Sequence, residues 1–192
     1  MRLTLMKPRI LILLVEACLM FATSIRAQSS QTDRSYETAI ASLSENSDAA
    51  QVAGAVAALE SAGTKAFPAL LAHLNDTARA SVVFQGALMD VDAKGNVLGL
   101  HHPTIGEACF ALIQNQVEGN WPKGYRQYYV LSPKNVVGWW QARKAKPLKE
   151  LQLETAQASL TQARQLRGKS GYSREAVRFL ERHLRELKVA KK

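Results

Sequence analysis

The sequence predicts a mainly α-helical fold that carries a small β-hairpin insertion and a C-terminal helical hairpin. Three observations favour this fold. Apolar residues recur at helical spacing over most of the chain. Several of these stretches begin at a recognisable helix cap and end at glycine or proline. One stretch, at about 81–100, instead has two apolar runs around a glycine-containing turn, which is typical of a β-hairpin.

Residues 1–27 have the pattern of a secretory signal peptide. Arg2, Lys7 and Arg9 precede an apolar run, and small residues allow cleavage after Ala27. The alternative is a retained membrane anchor, but the run is shorter than the roughly 18–20 residues that a span requires. We therefore predict a periplasmic or secreted protein with no stable membrane span after processing.

Composition limits the class of the mature chain. Removal of the signal peptide takes four of the 25 basic residues and one of the 16 acidic residues, which leaves 21 and 15 and a net charge of +6. This moderate charge, together with export, argues against a nucleic-acid partner. Residues 28–32 are a polar, flexible leader, and residues 33–192 suffice for a single helical domain. Its single cysteine, Cys109, excludes an internal disulfide.

The N-terminal part of the domain is predicted to hold three helices. Asp48 is placed to cap the second helix, and Gly63 to end it in a backbone conformation that favours glycine. Pro68 lies where the third helix opens. The three helices are predicted over residues 33–43, 49–61 and 69–74.

The stretch LESAGTKAFPALLAHLND, at 59–76, resembles a HEAT-type repeat. It combines a helix, a glycine turn, a proline near the start of the next helix and a Leu-Leu pair. The resemblance covers residues 48–76 and implies HEAT-like antiparallel helix pairs, which stack into scaffolds that bind other proteins. The sequence shows no second copy at a fixed period, so a single pair within a helical domain and a solenoid both stay open. The chain also resembles small secreted bacterial proteins, which adds no chemistry.

The hairpin at about 81–100 interrupts the helices. Asp90-x-Asp92-x-Lys94-Gly95 begins like a calcium loop, but lysine occupies the third ligand position and His101 the twelfth. We therefore interpret this motif as a hairpin turn. Insertions on helical scaffolds often carry binding loops, so the hairpin is one candidate contact surface.

A further helix starts after the hairpin and is followed by an aromatic segment. Thr104 and Glu107 have the spacing of a capping box, and Gly119 is placed to end this helix. Residues 127–131 (QYYVL) are aromatic and β-branched, which favours a strand or an extended buried segment. Ser132, followed by proline, predicts the start of the next helix.

Two helices are predicted to close the chain over about 147–190. Pro147 starts a long helix with a broad apolar face that ends near Arg167. Ser173 caps the last helix after a glycine-bounded turn. Its apolar residues lie on one side, at Ala176, Val177, Leu180, Leu184 and Leu187.

His101, His102, Glu107 and Cys109 are the candidates for catalysis. A thiol beside an imidazole can act as a nucleophile, as in a Cys/His hydrolase, and the same four side chains could bind zinc. However, Cys109 falls on the apolar face of its helix, where cysteine packs as a small hydrophobe. We therefore predict no catalytic residue, no metal site and no cofactor, and keep the hydrolase as an alternative.

Trp121, Lys123, Tyr125 and Arg126 are the candidate binding residues, because they lie in a loop next to glycine and proline. We expect Trp121 and Tyr125 to be exposed there. The function predicted is non-catalytic binding or scaffolding through contacts with another protein. The alternative partner is an envelope polysaccharide, since aromatic faces beside cations can bind sugar chains. Equally, the aromatic residues could form core.

Overall fold

The described part of the chain is mainly α-helical, as predicted. The structure is a computed structural model, and it describes residues 33–81, 89–91, 97–100, 102–166 and 174–189. The chain divides into two units, Met1–Thr38 and Ala39–Lys192. Residues 33–38 of the first unit are helical.

The second unit contains the remaining elements. Residues 39–41 are helical, so the predicted first helix ends two residues earlier than expected. Among the described residues, 3-10 turns lie at Gly63–Lys65 and at Lys123–Tyr128. After residues 39–41, the α-helices of the described residues are, in chain order, α1 (Ala49–Ala62), α2 (Phe67–Ala72), α3 (Ile105–Glu118), α4 (Val136–Gln141), α5 (Leu148–Leu166) and α6 (Arg174–Val189).

Two short strands lie between α2 and α3. They are β1 (Met89–Val91) and β2 (Val97–Leu100), and they pair antiparallel. Met89 is opposite Leu100, and the register shifts between Asp90 and Val91. Residues 92–96, which include most of the calcium-like motif, lie outside the described residues.

Local capping fixes the starts of α1 and α3. The Asp48 carboxylate accepts the N–H of Gln51 at 2.8 Å, and the Gln51 side chain accepts the N–H of Asp48 at 3.0 Å. The predicted capping box of α3 is also present: Thr104 Oγ1 accepts the N–H of Glu107 at 3.2 Å, and the glutamate accepts the N–H of Thr104 at 2.8 Å. Each box satisfies two backbone groups that the first helical turn leaves unpaired.

The α3 helix is central to the second unit. It packs against α1 and α2 and also against α5. Its first turn meets the turn after α2, where the N–H of Gly106 donates to the carbonyl of Asp76 at 3.0 Å. A Cβ atom at position 106 would lie only 2.3 Å from the carbonyl oxygen of Leu74. Only glycine allows this approach.

The segment between α3 and α4 departs in part from the prediction. Within the QYYVL stretch, Gln127 and Tyr128 belong to a 3-10 turn, and the residues that follow form no strand. Tyr129 instead has an extended backbone and Leu131 is buried, which agrees with the extended alternative. The next helix begins at Val136 and not at Ser132, because residues 133–135 form a turn. The Asn135 side chain accepts the N–H of Ser132 at 2.9 Å and donates to the carbonyl of Val130 at 2.9 Å. These bonds hold the turn in place of a helical cap.

Both tryptophans of α4 are largely buried. Trp140 packs edge to face against Phe67 of α2, with ring centroids 5.1 Å apart. The guanidinium of Arg143 lies over Trp139, 5.3 Å from the ring centroid. Adjacent residues on a helix point about 100° apart, so α4 is covered on two sides.

The C-terminal helices pack against the chain that follows α3. The α5 and α6 helices contact each other, and α5 also contacts the 3-10 turn at 123–128. This arrangement forms the predicted C-terminal pair of helices, and its α5 member also packs on α3. The shared core consists of Trp121, Tyr128, Ala156, Leu160, Ala163, Ala176, Val177, Leu180 and Leu184.

Candidate functional site

The alternative of a Cys/His hydrolase gains no support from the positions of its candidate residues that the structure describes. Cys109 is fully buried on the apolar face of α3, and Glu107 belongs to the helix cap. His102 is exposed, and His101 lies outside the described residues. A thiol held this deep is shielded from substrate. Within the described ranges, no group of three His, Cys, Asp or Glu side chains could hold a metal ion.

Trp121 is buried, so the expectation that it is exposed is wrong. Only 3% of its surface is accessible. Phe179 and His183 of α6 cover the indole, with ring centroids 5.9 and 5.8 Å away in edge-to-face arrangements. Tyr129 packs on it from the loop side at 4.6 Å. Trp121 is therefore a core residue that joins the loop to α6.

Two side chains tie this loop to itself. The Tyr129 hydroxyl donates to the carbonyl of Gly119 at 2.8 Å and accepts the N–H of Trp121 at 3.0 Å. The Arg126 guanidinium donates to the carbonyl of Trp121 at 3.1 Å and to the side chain of Asn120 at 3.1 Å. Arg126, predicted to bind a partner, thus holds the backbone of its own loop.

Tyr125 is the predicted binding residue that the structure places on a groove. Its ring lies 4.7 Å from that of Phe179, and both rings are half-buried. The groove has a volume of about 450 Å³, runs along α6, and is lined by Tyr125, Glu175, Arg178, Phe179, Glu181, Arg182 and Arg185. The side chain of Lys123 lies outside what the structure describes.

The charge of this groove is predominantly positive. Arg178, Arg182 and Arg185 are exposed and lie four and three residues apart, on one side of α6. Glu181 also lines the groove, but its carboxylate is paired with a residue outside the groove, because it accepts a hydrogen bond from Arg164 of α5 at 2.8 Å. Glu175, at the start of α6, is the other acidic group on the lining. We call this surface the arginine groove.

A buried carboxyl lies beneath the same loop. Glu118, at the end of α3, is 2% exposed and accepts the backbone N–H groups of Val130 and Leu131. Burial raises the pKa of Glu118 to about 7, although the hydrogen bonds from the two N–H groups lower it. The Gln114 side chain of the same helix donates a further hydrogen bond to the carbonyl of Leu131 at 3.1 Å. Glu118 thus joins α3 to the segment before α4.

A second groove, of about 350 Å³, lies between α2 and α4. Its lining is mostly apolar and includes Leu71, Trp140 and Val137, with Lys144 at one side. Val137 is 47% exposed. Lys144 is the charged residue that lines this second groove, so the groove has no cluster of like charges comparable to the arginine groove.

The sequence contained a signal for the arginine groove but none for Glu118. Arg174, Arg178, Arg182 and Arg185 follow helical spacing, and this pattern alone could have identified a basic side of the last helix. The other part of the arginine groove is the pair of aromatic rings of Tyr125 and Phe179, which we call its aromatic floor. This pair could not be predicted locally, because the two residues lie 54 positions apart in the sequence. Nothing in the local sequence marks Glu118 as buried, since a glutamate in a last helical turn is ordinarily solvated.

Comparison with known proteins gave no relatives. No family model matches the chain, and neither a curated protein nor a solved structure is significantly similar to it. Among the helices that the structure describes, none combines the length and the apolar character needed to cross a bilayer.

Proposed function

We propose that the protein is a non-catalytic binding domain that acts through contacts with another protein, and that the arginine groove is its contact surface. The observation that supports this function is the convergence of Arg178, Arg182 and Arg185 on the aromatic floor of Tyr125 and Phe179. Arginine and aromatic side chains are both enriched where proteins bind one another.

The alternative partner is an envelope polysaccharide, and the same groove would have to receive it. Its aromatic contribution is smaller than the sequence suggested, because Trp121 is buried and cannot offer a face to a sugar ring. Tyr125 is half-buried, and its ring is already packed against Phe179. These two observations favour a protein partner over a polysaccharide.

The proposed place of action is the periplasm or the exterior of the cell. It is supported by the signal-peptide pattern of residues 1–27, which lie outside the described residues. N-terminal sequencing of the protein isolated from an exporting cell tests it. A mature chain that begins at Gln28 is the expected result, and a chain that still begins at Met1 in the membrane fraction would contradict it.

A HEAT-like role for residues 48–76 stays a prediction. It is supported by the order of the elements: α1 is followed by the turn at Gly63–Lys65 and then by α2, which has Pro68 in its first turn. We propose that this pair contributes structure to the domain, while binding occurs at the other end of the sequence. The β1–β2 pair is a further candidate contact surface.

The binding test uses immobilised poly-L-glutamate as a generic anionic probe. The double variant Arg178→Glu/Arg182→Glu should elute at much lower salt than the unaltered protein, since attraction between exposed charges is screened by salt. The matched control, Lys134→Glu/Lys144→Glu, makes the same change in net charge at exposed positions outside the groove. Equal elution of the two variants would show that net charge alone causes retention, and the proposed surface would be wrong.

A further inference from the structure

We propose that the arginine groove receives an amphipathic helix whose acidic side faces Arg178, Arg182 and Arg185 and whose partner chain places a basic residue beside Glu175. This inference rests on the proposed function and names the class of its ligand.

The spacing of the arginines matches a helical ligand. The three arginines are four and three residues apart along α6, so their Cα atoms are separated by about 6 and 4.5 Å along the helix axis. A second helix that lies alongside α6 can repeat these steps with acidic residues four and three positions apart. A polyuronate, in contrast, carries its carboxylates at a single fixed interval, so it matches the two unequal steps less well.

The floor of the groove suits an apolar side chain. Tyr125 and Phe179 are tilted by 31° with centroids 4.7 Å apart, and Phe179 in turn stacks on His183. Both rings are half-buried, so each leaves part of an edge or face accessible. A leucine or methionine on the acidic helix, between its charged residues, would contact this floor as in other helix-in-groove complexes.

Glu175 favours a ligand of mixed charge over a uniformly anionic polymer. It is exposed and lies on the same lining as the arginines, one helical turn before Arg178. Like charges placed opposite each other repel, so a polyuronate that fills the groove meets an unfavourable contact here. A peptide can avoid it with a lysine or arginine one turn beyond its acidic residues.

The experiment measures binding to the protein by fluorescence anisotropy and uses four probes. Three are fluorescein-labelled peptides, and one is an unlabelled competitor. The first is an alanine-rich peptide of about 16 residues, with glutamates four and three positions apart, an apolar residue between them and one lysine a turn away. The second is a scrambled peptide of the same composition with its glutamates adjacent. The third replaces glutamate by glutamine. The fourth is polygalacturonate, used as a competitor.

The inference predicts that the patterned peptide binds roughly tenfold or more tightly than the scrambled peptide, because both carry the same charge but only one matches the groove. Arg178→Glu/Arg182→Glu should abolish the difference, whereas Lys134→Glu/Lys144→Glu should preserve it. Circular dichroism and the Tm of each variant check that the fold is kept, which the exposure of all four positions favours.

A variant of Glu175 distinguishes a helical peptide from a polysaccharide, because it should change their affinities in opposite directions. Glu175→Gln should weaken binding of the patterned peptide, because its lysine loses a partner. The same variant should strengthen binding of polygalacturonate, because a repulsive contact is removed. Stronger binding of both probes would overturn the helix inference in favour of a polysaccharide.

The outcomes distinguish the inference from the function on which it rests. If the scrambled peptide or polygalacturonate binds as tightly as the patterned peptide and all depend on Arg178 and Arg182, the arginine groove is a binding surface but the helical ligand is wrong. If no probe shows binding that depends on these arginines, the proposed function fails as well.

Discussion

The carboxylate of Glu118 holds the backbone N–H of Leu131, with both carboxylate oxygens 3.3 Å from the nitrogen. The same carboxylate accepts the N–H of Val130. These contacts connect the end of α3 to the segment before α4 across thirteen positions of sequence. Because Glu118 is almost completely buried, its ionisation should be visible in the stability of the whole domain.

Glu118 is expected to make the domain less stable as pH rises from about 4.5 to about 7. Burial raises the pKa of Glu118 from its ordinary value of 4.5 to about 7 in the folded protein. Between these pH values the folded state therefore retains a proton that the unfolded state has released. The stabilising contribution is complete below pH 4.5 and is lost as pH rises through 7. The loss amounts to roughly 3 kcal/mol at most.

The variant Glu118→Gln tests this dependence, because an amide can accept the same N–H groups without ionising. Urea unfolding between pH 4.5 and 7 should show a smaller decrease in free energy for the variant. Burial lowers the pKa of His183, which contributes the opposite slope. The difference between the two proteins is therefore the quantity to measure, and parallel curves would contradict the assignment.

Gly106→Ala should destabilise the domain, although alanine ordinarily favours a helix. The new Cβ would lie 2.3 Å from the carbonyl oxygen of Leu74 and 3.1 Å from that of Asp76, both of which are backbone atoms. Forced overpacking of this kind costs about 1–3 kcal/mol or more. Denaturant unfolding with a two-state fit gives the change.

Gly54→Ala is the matched control for this variant. Gly54 lies inside α1, and a Cβ there would meet no atom within 4 Å. We expect a gain of about 0.5–1 kcal/mol, since alanine restricts the unfolded chain and suits a helix interior. A similar loss in both variants would mean that the approach of Gly106 to Leu74 is not tight.

Tyr129→Phe should loosen the loop between α3 and the 3-10 turn. The hydroxyl makes bonds of 2.8 and 3.0 Å to the backbone of Gly119 and Trp121, and their removal leaves a partly buried donor and acceptor unpaired. We expect a loss of about 1–3 kcal/mol in unfolding free energy. Tyr125→Phe removes a hydroxyl from the same loop and should change stability by less than about 0.5 kcal/mol, as is usual for surface substitutions.

Cys109 should react slowly with a thiol reagent in the native protein. Its side chain is fully buried within α3, so the reaction should require unfolding and accelerate sharply in denaturant. The labelling rate with Ellman's reagent at pH 7.5, with and without urea, provides the comparison. Fast labelling of the native protein would indicate an activated, accessible thiol and would return the Cys/His hydrolase to consideration.

The helix starts that depend on local contacts were predictable from the sequence. The caps at Asp48 and Thr104 need only residues three positions further on, so their motifs carry the whole interaction. Ser132 shows the limit of this reasoning. The residues Ser132-Pro133 suit a helix start, but the hydrogen bonds of Asn135 hold a turn there instead.

The sequence by itself determined that the chain is mainly helical, where most helices begin, and that Cys109 belongs to an apolar face. These properties depend on spacing and on contacts within one or two turns. Only the tertiary structure decided that Trp121 is core, that Glu118 is buried and that Tyr125 joins the arginines of α6 in one groove. The physical reason is distance along the chain, because each of these outcomes requires packing between segments that no local pattern relates.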